Sequence, residues 1–331
     1  MMDTKLISIC IPVLNEEKNI LLAYERILKV FESLEKYQFE IIFTDNASCD
    51  GTYKEIIKLN EQNKKVKVVR FSRNIGYQKS IWIGNLLAKG DAIIQLDCDM
   101  QDPPELIGKM IKKWEQGYDV VYGIRKERNE NWFMNTTRKI FYRVLNFISD
   151  EKLPIDVGDF RLIDKKIIKV LSKIQDQSPY LRGTIAKIGF HQVGIEYSRN
   201  ERRLGKTKFN FKNLISLALD AVISNSTFPL KLSTYIGFVL SVVCIFWSSW
   251  YLYSKVFLDA NWPSGFTTIV MLSLFNLAFS SLMFGVLGAY IMSITKQVKL
   301  MPMAIISNKC GIQKSELSIE NLVDVSIDEI N

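Results

Sequence analysis

Four carboxylates, Asp97, Asp99, Asp102 and Glu105, crowd the stretch "IIQLDCDMQDPPE" at 93–105, directly after an apolar run that reads as a buried strand. Residues two apart in an extended chain share a face, so Asp97 and Asp99 point the same way. Carboxylates so placed repel each other unless a cation sits between them. Hard divalent ions are the natural partners: Mg²⁺ or Mn²⁺ takes oxygen ligands, commonly one or two carboxylates together with the phosphates of a substrate. The amide oxygen of Gln101 can complete the protein's share. Pro103, Pro104 and Glu105 read more simply as a helix start, where proline and acidic residues are both favoured.

Such a pair needs a rigid element beneath it. Over the first 125 residues, apolar runs rich in Val, Ile and Phe (Leu6 to Ile11, Glu40 to Thr44, Val66 to Phe71, Ala92 to Leu96, Val120 to Tyr122) alternate with stretches of helical period. The alternation predicts an α/β fold with a mostly parallel sheet covered by helices, in which ligands sit beyond the C-terminal strand ends. Two more strand ends carry polar residues: "IPVLNEE", with Pro12, Asn15, Glu16 and Glu17, and "FTDNASCDGT", with Asp45, Asn46, Ser48, Asp50 and Gly51. From 130 to 200 the pattern is less regular, with an amphipathic stretch at "WFMNTTRKIFYRVLNFI" and a strand-like "GFHQVGIEYSR".

The C-terminal third changes character. Leu232 to Ser254 gives 23 residues without a charge, and another 36 separate Asp259 from Lys296, with Phe266 to Met292 densely apolar. A bilayer core of about 30 Å needs roughly 20 such residues per helix, so two membrane spans are expected. Lys296, Lys299, Lys309 and Lys314 follow the second span, which by the positive-inside tendency puts the large domain and both termini in the cytoplasm. The predicted organisation is therefore a catalytic domain at 1–208, an interfacial amphipathic helix at 209–229, two transmembrane helices within 230–295 (about 232–254 and 266–292), and a cytoplasmic tail at 296–331, acidic and solvated after Lys314.

Forty-three basic against 35 acidic residues leave a net charge of +8. Much of the excess lies in Arg199, Arg202, Arg203, Lys206, Lys208 and Lys212, just before the interfacial stretch, where it suits an anionic leaflet or the phosphate of a lipid. No nucleic-acid recognition module is visible, so nucleic acid is not an expected partner. The five cysteines are widely spaced, without a C-x-x-C, and suggest neither a disulfide framework nor zinc. "GKT" at 205–207 lacks the glycine five residues earlier that a phosphate-binding loop requires. The sole histidine, His191, lies in a strand-like run and reads as structural.

"IPVLNEE", "FTDNASCDGT", "FSRNIGYQKSIWIG", "LDCDMQDPPE", "VVYGIR", "VGDFRL" and "ERRLGKTKF", in this order ahead of two apolar spans, resemble the inverting polyprenyl-phosphate glycosyltransferases. That family includes the bacterial bactoprenol glucosyl transferases of O-antigen modification and dolichyl-phosphate mannose synthase. The resemblance implies a nucleotide-sugar-binding, GT-A-like domain in the bacterial inner membrane. Its partners would be a nucleotide diphosphate sugar, with UDP-glucose the first choice, and polyprenyl (undecaprenyl) phosphate, the product serving cell-envelope glycans such as lipopolysaccharide. It leaves open whether the protein is a homo-oligomer.

Carried over by residue, the resemblance implies that Pro12 and Glu16 line the nucleotide pocket, Asp45 meets the base, Asp97 lies near ribose and diphosphate, and Asp99 and Gln101 ligate the metal. Asp159 would lie at the acceptor, with Lys208, Arg199 and Arg202 on its phosphate. Arg125 and Arg161 are further phosphate-clamp candidates, since guanidinium forks match phosphate oxygens. A phosphate monoester, with a second pKa near about 6, is already largely dianionic at neutral pH, so Asp159 is expected to orient the acceptor more than to remove a proton. The sequence departs from the family pattern at Asn46 and Ala47, where Asp and Gly are common, and mildly at Thr207 and Phe209. Two rival readings are a processive polysaccharide synthase, which should show Q-x-x-R-W and more spans, and a non-catalytic membrane scaffold that binds nucleotide sugar.

Overall fold

The computed structural model describes residues 4–125, 157–177, 179–198, 265–298, 302–313 and 322–325, with scattered helical positions from 230 to 257. The first four apolar runs become β1 (Leu6–Val13), β2 (Gln38–Asp45), β3 (Val66–Phe71) and β4 (Ala92–Gln95). They pair in parallel in the order β3-β2-β1-β4, with Val13 opposite Asp45, Asp45 opposite Arg70 and Cys10 opposite Gln95. Between them run α1 (Glu17–Glu32), α2 (Thr52–Gln62) and α3 (Tyr77–Leu87); a 3₁₀ turn at Pro104–Leu106 then leads into α4 (Ile107–Glu115).

These strands are apolar on both sides because both sheet faces are covered. Ile9, Ile41, Val68 and Ile94 pack with Ile20, Ile27, Ile56 and Met110 of α1, α2 and α4. Cys10, Ile42, Val69 and Ile93 belong to a second cluster with Ile81, Trp82 and Leu87 of α3.

The irregular stretch after residue 130 contains a reversal. β5 (Val120–Arg125) does not pair with β4: β6 (Val157–Asp164) lies between them, antiparallel to both. Asp164 then caps α5 (Lys165–Leu171), accepting Lys166 N at 2.8 Å. α6 (Leu181–Ile188) follows, and both helices extend the second core through Ile167, Leu171, Leu181 and Ile185. β7 (Gln192–Tyr197), the strand-like run around His191, pairs in parallel with β5.

The C-terminal tail is not wholly a solvated end. α7 (Phe266–Val298) is followed by β8 (Ala304–Cys310), antiparallel to β3, and β9 (Leu322–Asp324), parallel to β8. Ala304 and Ile306 are buried, Ile306 opposite Phe71, and Lys309 pairs with Asp324 at 2.6 Å. That alternation spans few residues and is easily missed among the surrounding charges. The sheet has nine strands in the order β7-β5-β6-β4-β1-β2-β3-β8-β9, and five of its eight pairings are parallel.

The chain divides into two compact units: Met1–Thr137 with Leu153–Lys208 and Lys299–Asn331, and Arg138–Lys152 with Phe209–Val298. Over the described residues no helix meets the length and apolarity required to cross a membrane, so the two expected spans stand unconfirmed. Some side chains of α7 fall outside the described set. Its 33-residue sequence carries no charge before Lys296, has a length of about 50 Å at 1.5 Å per residue, and exposes Ile269, Leu272, Phe275, Phe284 and Ile291.

Candidate active site

Three loops leave the C-terminal ends of β1, β2 and β4, and each turns on a non-glycine residue with left-handed backbone: Asn15 at φ 56, Ala47 at φ 59 and Met100 at φ 56. Such conformations cost energy and cluster where function constrains the chain. The first two loops are laced together: Asn15 N donates to Ser48 Oγ at 3.0 Å, and Cys49 N to Asn15 Oδ1 at 2.8 Å. Pro12 is buried in β1. Glu16 precedes α1; its N–H donates to Thr52 Oγ1 at 2.9 Å and its carboxylate accepts from Asn19. Asp45 is fully buried, accepts Ser48 N at 3.0 Å and lies 3.4 Å from Arg70 Nε. Burial pushes its carboxyl above the ordinary range, although the Ser48 hydrogen bonds and the Arg70 charge oppose the rise.

At the end of β4, Asp97 accepts the Tyr77 hydroxyl from the start of α3 at 2.7 Å. Its carboxyl is pushed up to about 7, first by loss of solvation and then by the charges of Asp102, Asp159 and Asp99, against the pull of the tyrosine hydrogen bond. Asp99 accepts Gln101 N at 3.1 Å, which tightens the turn through Met100. The antiparallel register of β4 and β6 ends with Gln95 opposite Arg161, and Asp97, just past that end, feels the charge of Asp159. Negative charge gathered here is the environment a divalent cation relieves. Among the described residues no group of three or more His, Cys, Asp or Glu forms a metal cage. The residues fit a Mg²⁺- or Mn²⁺-type ion that takes one or two carboxylates and fills its remaining positions with substrate phosphate and water.

Across from the carboxylates stands a cationic side. Asp159, at the start of β6, pairs with Arg182 of α6, whose Nε is 3.0 Å from Oδ1 and Nη2 3.5 Å from Oδ2. α6 is tied to α3 by Leu181 N, which donates to Gln78 Oε1 at 3.3 Å. Arg161 is 3% exposed; Nη2 donates to Gly158 O at 3.0 Å, and Nε has no hydrogen-bond partner among the described residues. Loss of solvation pushes this guanidinium down to about 10, with Arg182 adding to the fall and Asp159 opposing it. Arg182 thus pairs with Asp159 while Arg161 feels its charge, an arrangement that suits an anionic ligand.

Comparison with known proteins agrees. Residues 8–172 match the profile of glycosyl transferase family 2. The uncharacterized glycosyltransferase YkcC of Bacillus subtilis is 36% identical over 94% of this chain and 96% of its own. The chain belongs to glycosyl transferase family 2. The prophage bactoprenol glucosyl transferase homolog of Escherichia coli is 35% identical over 86% of this chain and 93% of its own, and the bactoprenol glucosyl transferase of Shigella phage SfX is 33% identical over 92% and 99%. Among solved structures, the mannosyltransferase PcManGT of Pyrobaculum calidifontis, in complex with GDP-Man and Mn2+, is 13% identical with a TM-score of 0.48, covering 90% of this chain and 88% of that one. Family membership and the observed sheet agree with the expected GT-A-like domain.

In this family 2 glycosyltransferase, Asp97 and Asp99 follow the end of β4 and Asp159 and Arg161 lie on the neighbouring β6, two interior strands of the sheet, while Pro12, Glu16 and Asp45 sit at the β1 and β2 ends. Arg125 is engaged inside the protein, 3.4 Å from Asp102 and 3.2 Å from the Tyr197 hydroxyl, rather than left open for a lipid phosphate. Arg199, Arg202 and Lys208 lie outside the described residues. His191 is exposed before β7, at the opposite strand ends from the acidic residues, and its backbone meets Asp119. Sequence reasoning missed Tyr77, Arg70 and Arg182. Arg70 was within reach, as the register partner of Asp45 once β2 and β3 were paired. Arg182 was not, because its role depends on β6, which the sequence pattern did not reveal.

Proposed function

We propose that this glycosyltransferase is a membrane-bound, inverting enzyme that moves a hexose from a nucleoside diphosphate sugar, UDP-glucose in the first instance, to polyprenyl phosphate at the cytoplasmic face. An oxygen of the acceptor phosphate attacks the anomeric carbon. The bond from that carbon to the diphosphate breaks, and its electron pair leaves with the diphosphate. Asp97 and Asp99, with Gln101, hold a divalent cation, which when bound stabilises negative charge on the diphosphate as a Lewis acid.

The observation that carries this reading is that Asp97, just past β4, feels the charge of Asp159 on the neighbouring β6, which is itself paired with Arg182. One side suits a cation and a departing diphosphate, the other an incoming phosphate held by guanidinium. An Asp159 already paired with arginine suits orientation of the acceptor better than proton removal. The relatives named bactoprenol glucosyl transferase support the choice of acceptor. The sequence of α7, uncharged before Lys296, with Leu232 to Ser254, supports two membrane helices that keep the enzyme beside a lipid whose tail remains in the bilayer.

The deciding experiment gives purified full-length protein a short polyprenyl phosphate and a panel of radiolabelled nucleotide sugars, with and without EDTA. Transfer to lipid that stops in EDTA and returns with Mg²⁺ or Mn²⁺ is expected. No transfer from any donor, with Asp99→Ala leaving cellular function intact, would favour a binding scaffold instead.

A further inference from the structure

Asp102 sits three residues past Asp99, is 1% exposed, and takes part in none of the chemistry above. Its two oxygens are used separately: the Tyr197 hydroxyl donates to Oδ1, and Arg125 Nη2 lies 3.4 Å from Oδ2. Arg125 Nε donates to the Tyr197 oxygen at 3.2 Å, which closes the three side chains into a ring. Arg125 and Tyr197 are the last residues of β5 and β7 and are register partners across that parallel pair. The ring therefore fastens the acidic loop to a strand end two places away from β4.

The surroundings are shaped around it. A Cβ on Gly123 would fall 2.6 Å from Tyr197 Cε1, and one on Gly158 would fall 2.8 Å from Arg125 Nη2. Phe160 meets the Tyr197 ring edge-on at 6.1 Å. Starting a helix needs none of this: Glu105, the other acid of the helix start, is exposed and is held by Arg26 at 2.8 Å. Between Asp99 and Asp102 the chain passes through Met100 in the left-handed region, which a methionine adopts only when its surroundings enforce it. The Asp99 contact to Gln101 N fixes one side of that turn, and the Asp102 ring fixes the other.

The geometry points to Asp102 as a positioning residue that, through Arg125 and Tyr197, holds the acidic loop so that Asp97 and Asp99 are set for a cation before it binds. The inference rests on the reading of Asp97 and Asp99 as cation ligands. It gives Arg125 a place in the loop's support.

Tyr197→Phe tests it most cleanly, because it removes one hydroxyl and keeps the ring. Asp102→Asn is the stronger variant, and Leu171→Ala, in the core beneath α5, is a control for general destabilisation. Two quantities are measured on the full chain: Mn²⁺ affinity in the presence of UDP, by electron paramagnetic resonance, and amide exchange over 97–106 in metal-free protein. Mn²⁺ affinity is expected to fall about 10-fold to 100-fold in Asp102→Asn and less in Tyr197→Phe, the range seen for outer groups that orient metal ligands. Loop exchange should quicken by about tenfold in both, while Leu171→Ala lowers the melting temperature and leaves both quantities alone. Folded Tyr197→Phe and Asp102→Asn proteins with wild-type exchange and wild-type Mn²⁺ affinity would overturn the inference. If the wild-type protein binds no Mn²⁺ at all, the cation reading fails by itself, and loop exchange still decides whether Asp102 holds the loop.

Discussion

At the end of β4, Asp97 has a tyrosine hydroxyl as its partner and three other carboxylates near it; at the start of β6, Asp159 has one arginine 3.0 Å away and feels a second. The two lie at adjoining ends of one antiparallel strand pair and feel each other's charge, yet they handle charge in opposite ways. Among the described residues a hydroxyl meets Asp97, whereas guanidinium groups surround Asp159. The contrast suits a site that a cation and an anion complete together.

The severest way to break the comparison is to remove the cation's ligand. Asp99→Ala is expected to reduce transfer by about a thousandfold, in line with the loss of a principal electrostatic stabiliser of a departing charge. Initial rates at saturating donor and Mn²⁺ measure it. Activity above a tenth of wild type would mean that the carboxylate pair is not where the leaving group is stabilised.

Next comes the arginine side. Arg182→Ala should cost about 10-fold to 100-fold, expressed mainly in the concentration of polyprenyl phosphate needed, with Arg182→Lys recovering part of it. Asp159→Asn separates orientation from proton removal. A rate that falls by a constant factor across pH supports orientation, whereas loss of an acid limb near the carboxylate range would make Asp159 a base.

How legible these two sides were in the sequence differed for a physical reason. The β4 side is local: strand, turn and candidate ligands lie within a dozen residues, although β4 ends at Gln95 and a turn at 98–99 takes the place of the extended chain that the period-two reading assumes. The β6 side is assembled from 159, 161 and 182 on a strand and a helix, and nothing in local periodicity says that β6 inserts between β4 and β5. Resemblance supplied Asp159 and the chemistry of guanidinium supplied Arg161 as candidates, and the fold showed which elements carry them. β8 and β9 were hidden likewise, since a short edge strand gains its meaning from the partner it meets.

A milder probe sharpens the comparison through pH. The folded pKa of Asp97, about 7, lies above its ordinary 3.8, so the folded chain binds more protons than the unfolded one between those values. Stability of metal-free protein therefore declines as pH rises through this window, and the cost is fully present above it. Cation binding needs the ionised form, so Mn²⁺ with UDP should bind about tenfold more weakly at pH 6 than at pH 8. Thermal shifts at the two pH values read this out. An equal shift at both would show that Asp97 is already ionised at pH 6 and that the crowding of carboxylates is relieved within the protein.

The smallest expected effect concerns the loop after β2. Ala47 holds φ at 59 where glycine is the common residue of the family pattern, and an alanine methyl in that region costs about 1–2 kcal/mol. Glycine would remove this strain but lose about 0.4–1 kcal/mol through the freer unfolded chain. The net is a gain of about 0.5 kcal/mol, or about 1–2 °C in the melting temperature. Asn15→Gly should give less, because asparagine tolerates the left-handed region better than alanine does. If Ala47→Gly raises stability without changing donor affinity, the strain is incidental to the nucleotide side of the site. If instead it stabilises the fold while weakening the donor, the strained turn helps to hold Asp45 and Ser48 in place, and the β2 loop joins the β4 loop as a region where stability is given up for geometry.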